Sequence, residues 1–287
     1  MRSVGKYPGT GCLLILLLLV FPTILMAEDE LVLAVHPYQT SSTIVKAFTP
    51  LANYLSKALA VKVRLDVSPN YDAHIKRIGN NQVDIAYLGP ASYVMLVDKY
   101  GRKPILARQV VNGKPYFQGK IIIKAGSPVK SLKDLVGRRF AFGDPESTMS
   151  HLVPRYMLIN AGVDASKLSG YQFTGSHDNV AVGVLSGDYD AGAVKEEVFY
   201  KYRSRGLVDL ATTPEIPEHL FVARSDLPER TISALRTAFN RLDQDQQGRE
   251  ILGSIKKGIV AMRMARDSDY DGLRKILNVL SAHGVIP

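Results

Sequence analysis

The chain contains no tryptophan and a single cysteine, Cys12, in 287 residues. One thiol excludes an internal disulfide framework and any cysteine-rich metal centre, and no His-x-x-His spacing takes its place. Beyond residues 12–21 no apolar run approaches the roughly 20 residues that a membrane span requires. Fixed-period repeats, low-complexity tracts and a G-x-S-x-G nucleophile turn are also missing. Basic residues outnumber acidic ones, 36 Lys+Arg against 27 Asp+Glu, but they are scattered, and pairs such as Arg138-Arg139 and Lys256-Lys257 stand alone. Without tryptophan or clustered basic-aromatic stripes, nucleic acid is not an expected partner. The positive balance suits a small anionic ligand or an anionic surface.

What is present begins with a leader. Arg2 and Lys6 precede the apolar run from Cys12 to Phe21, and small-residue context at Leu25-Met26-Ala27 gives way to Glu28-Asp29-Glu30. Residues 1–27 therefore read as a signal peptide cleaved near Ala27, not as a membrane span. Cys12 opens the apolar run, whereas a lipid-attachment cysteine would follow it. The roughly 260 residues beyond are enough to bury a core without disulfides.

Short β-rich runs then alternate with helical segments: Leu31–Val35 and a helix about Thr43–Leu59, Val61–Val67 and Tyr71–Gly79, Val83–Leu88 and Pro90–Lys99. A second series has strands near Arg139–Phe142, Tyr171–Thr174 and Asp190–Val194, each running into a helix. The alternation predicts an α/β protein of two lobes, each a mostly parallel sheet flanked by helices. Extended connections about Val110–Lys124 and Val208–Val222 would form a two-strand hinge, and only helices are expected after the second. Lobe I then comprises residues 28–115 and 213–287, and lobe II residues 116–212. Ligands of open α/β sheets favour the carboxyl ends of the strands, so the cleft between the lobes is the expected site.

The polar candidates lie at those strand ends. Tyr38 follows the first strand, with Ser41 to Thr43 as caps of the next helix, and Tyr87 ends the third strand, as a cleft wall or a core residue. Ser147, Thr148 and Ser150 open a helix after the break at Gly143-Asp144-Pro145. Unpaired N–H groups and the helix dipole make such a start an anion site, while serine there is equally a routine cap. His177 stands at another helix start beside Ser176, and Asp190 begins the next strand, upstream of Glu196 and Glu197. A hydrolase would use Ser147, His177 and Asp190 as nucleophile, base and orienter, but no nucleophile elbow accompanies them, and no enzyme is expected. A metal site from His36, His151 and His177 lacks ligand spacing, so neither metal nor cofactor is expected.

Four segments in order, Asp84-Ile-Ala-Tyr-Leu-Gly-Pro-Ala-Ser-Tyr93, Phe142-Gly-Asp-Pro-Glu-Ser-Thr148 with Leu152-Val-Pro154, Gly175-Ser-His-Asp178 and Gly187-Asp-Tyr-Asp-Ala191, resemble the phosphate/phosphite/phosphonate-binding family of ABC-transporter substrate-binding proteins. The resemblance covers nearly the whole chain past the leader. It implies a two-lobed (type II) periplasmic binding-protein fold, a periplasmic monomer and a membrane permease as partner. It also implies an oxyanion held by hydroxyls and helix N-termini rather than by a salt bridge. In that reading Ser147 and Thr148 clamp the anion, His177 binds an oxygen, Tyr87 or Leu88 lines the first lobe, and Asp190 lies near the ligand. Relatives often read Ser-Thr-Ser-Gly where this chain has Ser147-Thr148-Met149-Ser150, so a thioether replaces one hydroxyl, with Ser150 or His151 as compensation. Glu196 or Glu197 would meet the ammonium of an aminoalkyl phosphonate, or remain solvated. A secreted sensory subunit that presents another small oxyanion to a membrane receptor would use the same closing lobes.

Overall fold

The first strand, β1 (Leu31–Val35), is apolar throughout and buried on both faces, as an interior strand of a covered sheet must be. A computed structural model describes residues 30–286 together with Met1, Arg2 and Gly5, so the expected signal peptide and its cleavage point lie outside the described residues. After β1 the chain alternates as α1 (Ser41–Leu59), β2 (Val63–Val67), α2 (Tyr71–Gly79), β3 (Ile85–Leu88) and α3 (Pro90–Tyr100). The Thr40 hydroxyl caps α1 by accepting from the Thr43 N–H, and Ile44, Phe48, Leu51 and Leu55 fall on one buried face at helical spacing. Pro90 occupies the first turn of α3, where its missing N–H costs no hydrogen bond.

The chain then leaves this layer through β4 (Ile105–Val111) and β5 (Tyr116–Phe117) to β6 (Gly119–Lys124), β7 (Arg139–Phe142), α4 (Val153–Asn160), β8 (Gly170–Phe173), α5 (His177–Ser186), β9 (Ala191–Lys195), α6 (Glu196–Arg203) and β10 (Leu207–Thr212). It returns through β11 (Ile216–Pro217) to β12 (Leu220–Ala223), α7 (Glu229–Arg241), α8 (Gln246–Ile255), β13 (Ile259–Arg263) and α9 (Asp271–Ala282). Two sheets result, one ordered β13-β4-β12-β3-β1-β2 and the other β10-β6-β9-β7-β8. The βαβ units pair in parallel, β1 with β2 and β3, and β7 with β8 and β9. The crossing segments add antiparallel strands: β12 beside β3 and β4, β6 beside β9 and β10. Each sheet is therefore mixed. β13 corrects the expectation of helices alone after residue 222: Ile259, Ala261 and Met262 are buried and Val260 exposed, and the strand completes the first sheet against β4.

The first sheet is covered by α1, α7 and α8 on one face, around Phe48, Leu55, Phe221 and Phe239, and by α3 and α9 on the other, around Tyr93, Tyr270 and Leu277. In the second sheet Phe140 and Leu158 mark one core, and Val180, Val184 and Phe199 the other. Between the sheets β5 and β11 form a two-residue antiparallel ribbon, Phe117 opposite Ile216. The hydroxyl of Thr213 accepts the Gly119 N–H at 2.8 Å, and the Gln118 side chain donates to the Thr213 carbonyl at 2.8 Å. Among the described residues no helix is long and apolar enough to cross a membrane.

Candidate functional site

The carboxyl ends of β1, β3, β7, β8 and β9 face one another across the ribbon and enclose a cavity of about 70 Å³. By volume it takes on the order of five water molecules, a space suited to a compact oxyanion. From the first sheet come His36, Tyr38, Tyr71, Gly89 and Ser92; from the second come Ser147, Thr148, Met149, Ser176, His177 and Lys195; Phe117 and His219 come from the crossings.

Gly143-Asp144-Pro145 turns the chain out of β7 into a wide turn at Thr148–Leu152, continuous with α4. Ser147 caps it: its hydroxyl accepts from the Ser150 N–H at 3.2 Å, which leaves its own proton to donate. The Thr148 hydroxyl accepts the Ala91 N–H of α3 at 3.2 Å and so ties the second sheet's helix to the first sheet's helix. Its proton too remains free to donate. Ser176 caps α5 by accepting from the Asn179 N–H, which sets His177 at the first helical position.

The histidine partners fix the tautomers of the neutral rings. The Lys195 N–H donates to His177 Nδ1 at 3.1 Å, so the ring proton sits on Nε2 and is available as a donor. His36 Nδ1 lies 3.1 Å from the Tyr87 carbonyl and must donate to it, leaving Nε2 as an acceptor. His219 Nδ1 likewise donates to Glu218 Oε2 at 3.0 Å. Burial pushes all three imidazoles below their ordinary value; the Lys195 ammonium adds for His177, His219 adds for His36, and for His219 the Glu218 carboxylate opposes the shift while Lys256 and Lys195 add to it. Burial alone would raise the fully buried Glu218 carboxyl, but the His219 hydrogen bond and the Lys256 ammonium at 3.3 Å hold it down at about 2. Lys256 is thus the cation of that pair, and His219 serves as a neutral donor.

Lys195 is half-buried, and burial lowers its pKa against the opposing field of Glu197. Asp144 and Glu146 line the same cavity. Burial, then Asp144 and Asp72, pushes Glu146 up to about 7.

Residues 33–270 match the family described as ABC transporter, phosphonate, periplasmic substrate-binding protein. The chain belongs to this family. A probable ABC transporter phosphite binding protein, PhnD1, of Prochlorococcus marinus (strain MIT 9301) is 29% identical over 208 residues, 68% of this chain and 69% of that one. The phosphate-import protein PhnD of Mycolicibacterium smegmatis (strain ATCC 700084 / mc(2)155) is 26% identical over 278 residues, covering 88% of this chain and 86% of the relative. The solved structure of P. marinus PhnD1 in complex with methylphosphonate superimposes with a TM-score of 0.78 at 25% identity, over 88% of this chain and 99% of that one. The fold is that of a two-lobed, type II periplasmic binding protein.

Of the seven residues singled out from the sequence, Tyr38, Ser147, Thr148 and His177 line the cavity. Ser150 does not. Its hydroxyl is fully buried and donates to the Ala193 carbonyl at 2.5 Å, because two residues along the wide helical turn from Thr148 carry it onto the opposite face. Asp190 is also elsewhere: it precedes β9, whose five residues span about 16 Å, while the cavity opens at the Lys195 end. There it accepts the Arg139 N–H at 2.8 Å, and no Ser147–His177–Asp190 triad is assembled. Tyr87 is a core residue whose hydroxyl accepts from the Gln109 side chain at 2.9 Å, and whose ring stacks beneath His36 and His219. Met149, though at the cavity rim, is almost wholly buried with the first-sheet core and receives the Thr213 hydroxyl on its sulfur at 3.6 Å. Glu197 is paired with Lys256, and Glu196 does not line the cavity. Lys195, His219, Tyr71 and Glu146 were missed, although the Lys195-Glu-Glu run directly after a strand was a visible signal for the first.

Proposed function

We propose that this protein captures a phosphorus oxyanion, a phosphonate, phosphite or phosphate, in the cleft between two closing lobes and delivers it to the permease of an ABC transporter from the periplasm. The lobes are residues 28–115 with 213–287, and residues 116–212. The observation that carries the reading is the His177 tautomer: with Nδ1 engaged by the Lys195 N–H, its Nε2–H has no acceptor among the described residues and lines the same cavity as the hydroxyls of Ser147 and Thr148 at a helix start. Donors to an ionised acceptor contribute about 1.5–3 kcal/mol each, so a few of them support micromolar binding after ordering costs. Neutral His219, with its Nδ1–H committed to Glu218, offers Nε2 to the P–OH of a monoprotonated ligand. A fully ionised sulfate has no such proton to give.

Titration calorimetry of the chain from Glu28 onward with phosphate, phosphite, methylphosphonate and sulfate tests this. At least one phosphorus oxyanion should bind more tightly than sulfate, and His177→Ala should weaken that ligand by about 5- to 150-fold, equivalent to about 1–3 kcal/mol. Unchanged affinity in a folded His177→Ala protein would remove His177 from the site.

A further inference from the structure

The ammonium of Lys195 has no ion-pair or hydrogen-bond partner among the described residues, although three carboxylates exert a field on it. Each of those carboxylates is already engaged. Glu197 pairs with Lys256, Glu218 with Lys256 and His219, and Asp178 with Lys201 at 2.5 Å. A half-buried cation without a counter-charge is unfavourable unless something bound supplies one.

Lys195 does not belong to the oxyanion cavity alone. Together with Tyr38 and His219 it also walls a second cavity of about 290 Å³, which Ser147, Thr148 and His177 do not touch. The charged lining of that second space is Lys195, Lys256 and Lys257 against Glu197. An ammonium-bearing substituent entering there would meet an excess of positive charge, and its one carboxylate is taken. An anionic substituent would meet its complement.

We propose that the ligand is a phosphonate whose carbon substituent ends in a second anionic group, such as a carboxylate, with the phosphorus head at Ser147, Thr148 and His177 and the second anion at Lys195 in the adjoining cavity. This rests on the phosphorus-oxyanion reading above and names its substrate class.

Calorimetry at one pH near 7.5 with methylphosphonate, phosphonoacetate and 2-aminoethylphosphonate, on the wild-type protein and Lys195→Met, separates the possibilities. The wild type should bind phosphonoacetate at least tenfold more tightly than 2-aminoethylphosphonate. Lys195→Met should abolish that margin, costing phosphonoacetate at least tenfold more affinity than it costs methylphosphonate. Wild-type preference for 2-aminoethylphosphonate, or equal affinity for the two, overturns the inference without any variant and turns attention to Asp144 and Glu146. A Lys195→Met protein that loses methylphosphonate as severely as phosphonoacetate also overturns it, by assigning Lys195 to the head group. Failure of the wild type to bind methylphosphonate, phosphite or phosphate would overturn the oxyanion reading itself.

Discussion

At Glu146 a single side chain couples the cleft to pH. Burial, and after it the charges of Asp144 and Asp72, raise its carboxyl to about 7, so it is neutral below that value and anionic above it. A second negative charge near an incoming anion costs on the order of 1 kcal/mol in water-like surroundings, about fivefold in affinity. Methylphosphonate should therefore bind about fivefold more weakly at pH 8.5 than at pH 6 in the wild type, beyond any change seen in Glu146→Gln. Lys195, whose ammonium burial also destabilises, works in the same direction, and only the ratio of wild type to variant isolates Glu146. Equal pH profiles in calorimetry would show that Glu146 does not face the ligand. None of this was legible in the sequence, where Glu146 is one acidic residue in a turn. Asp144 lies in the same turn, but the burial of the carboxyl and the field of Asp72 depend on another strand-helix unit, whose Tyr71 and Asp72 line cavities with it. Ser150 and Asp190 failed for a related reason. Spacing places a residue near a turn, but helical rotation and strand direction decide which way it faces.

The segment from Gly143 to Leu152 shows what one element demands of its sequence. Gly143 donates its N–H to the Ser150 carbonyl at 3.1 Å and accepts the Gly175 N–H at 3.0 Å, which draws the β7 and β8 exits together beside the helix start. A Cβ on Gly143 would lie 2.4 Å from Ser150 Oγ and 2.8 Å from Ser150 Cβ, inside contact distance of a serine whose hydroxyl is already bound to Ala193. Gly143→Ala should destabilise the protein by about 1–3 kcal/mol and weaken oxyanion binding, because the turn must shift to admit the methyl group. Gly253→Ala, in the interior of α8 with nothing within 4 Å of the added carbon, should be neutral or stabilising by up to about 1 kcal/mol. Urea melts of both variants with calorimetry check the contrast, and a Gly143→Ala protein of wild-type stability would count against the close-approach account. The strand-turn-helix units were legible because apolar runs, Gly-Pro breaks and hydroxyl caps coincide at each one. β13 was not, since Ile259-Val-Ala-Met-Arg263 is too short to declare a period, and its identity depends on β4 lying beside it.

Across the whole molecule, the crossings determine what sequence periodicity could not. The alternation of β and α segments foretells parallel pairing, but β4, β6, β10 and β12 enter antiparallel because the chain passes from one sheet to the other and back. That passage also brings His219 to the cleft with no motif to mark it. A consequence for stability follows from the number of buried imidazoles. His74 is held neutral by burial, with Ser68 and the Tyr87 carbonyl as its partners, and its pKa falls to about 4; burial and Arg155 set His151 at about 4 as well. A histidine with a folded pKa near 4 and an unfolded value near 6.5 is protonated first in the unfolded chain. Stability is then complete above about pH 6.5 and is lost as pH falls toward 4. Between pH 7 and pH 5 each of these two residues should remove about 2 kcal/mol, and His36, His177 and His219, lowered in the same direction, deepen the loss. Glu146 runs the other way, since protonating it below about 7 relieves a buried charge, and it offsets part of the total. The ligand-free protein should accordingly melt at a lower temperature at pH 5 than at pH 7, with His74→Gln reducing the difference by the share of one histidine. A melting temperature that is level or rising on acidification would mean that these imidazoles titrate near their ordinary value in the folded protein.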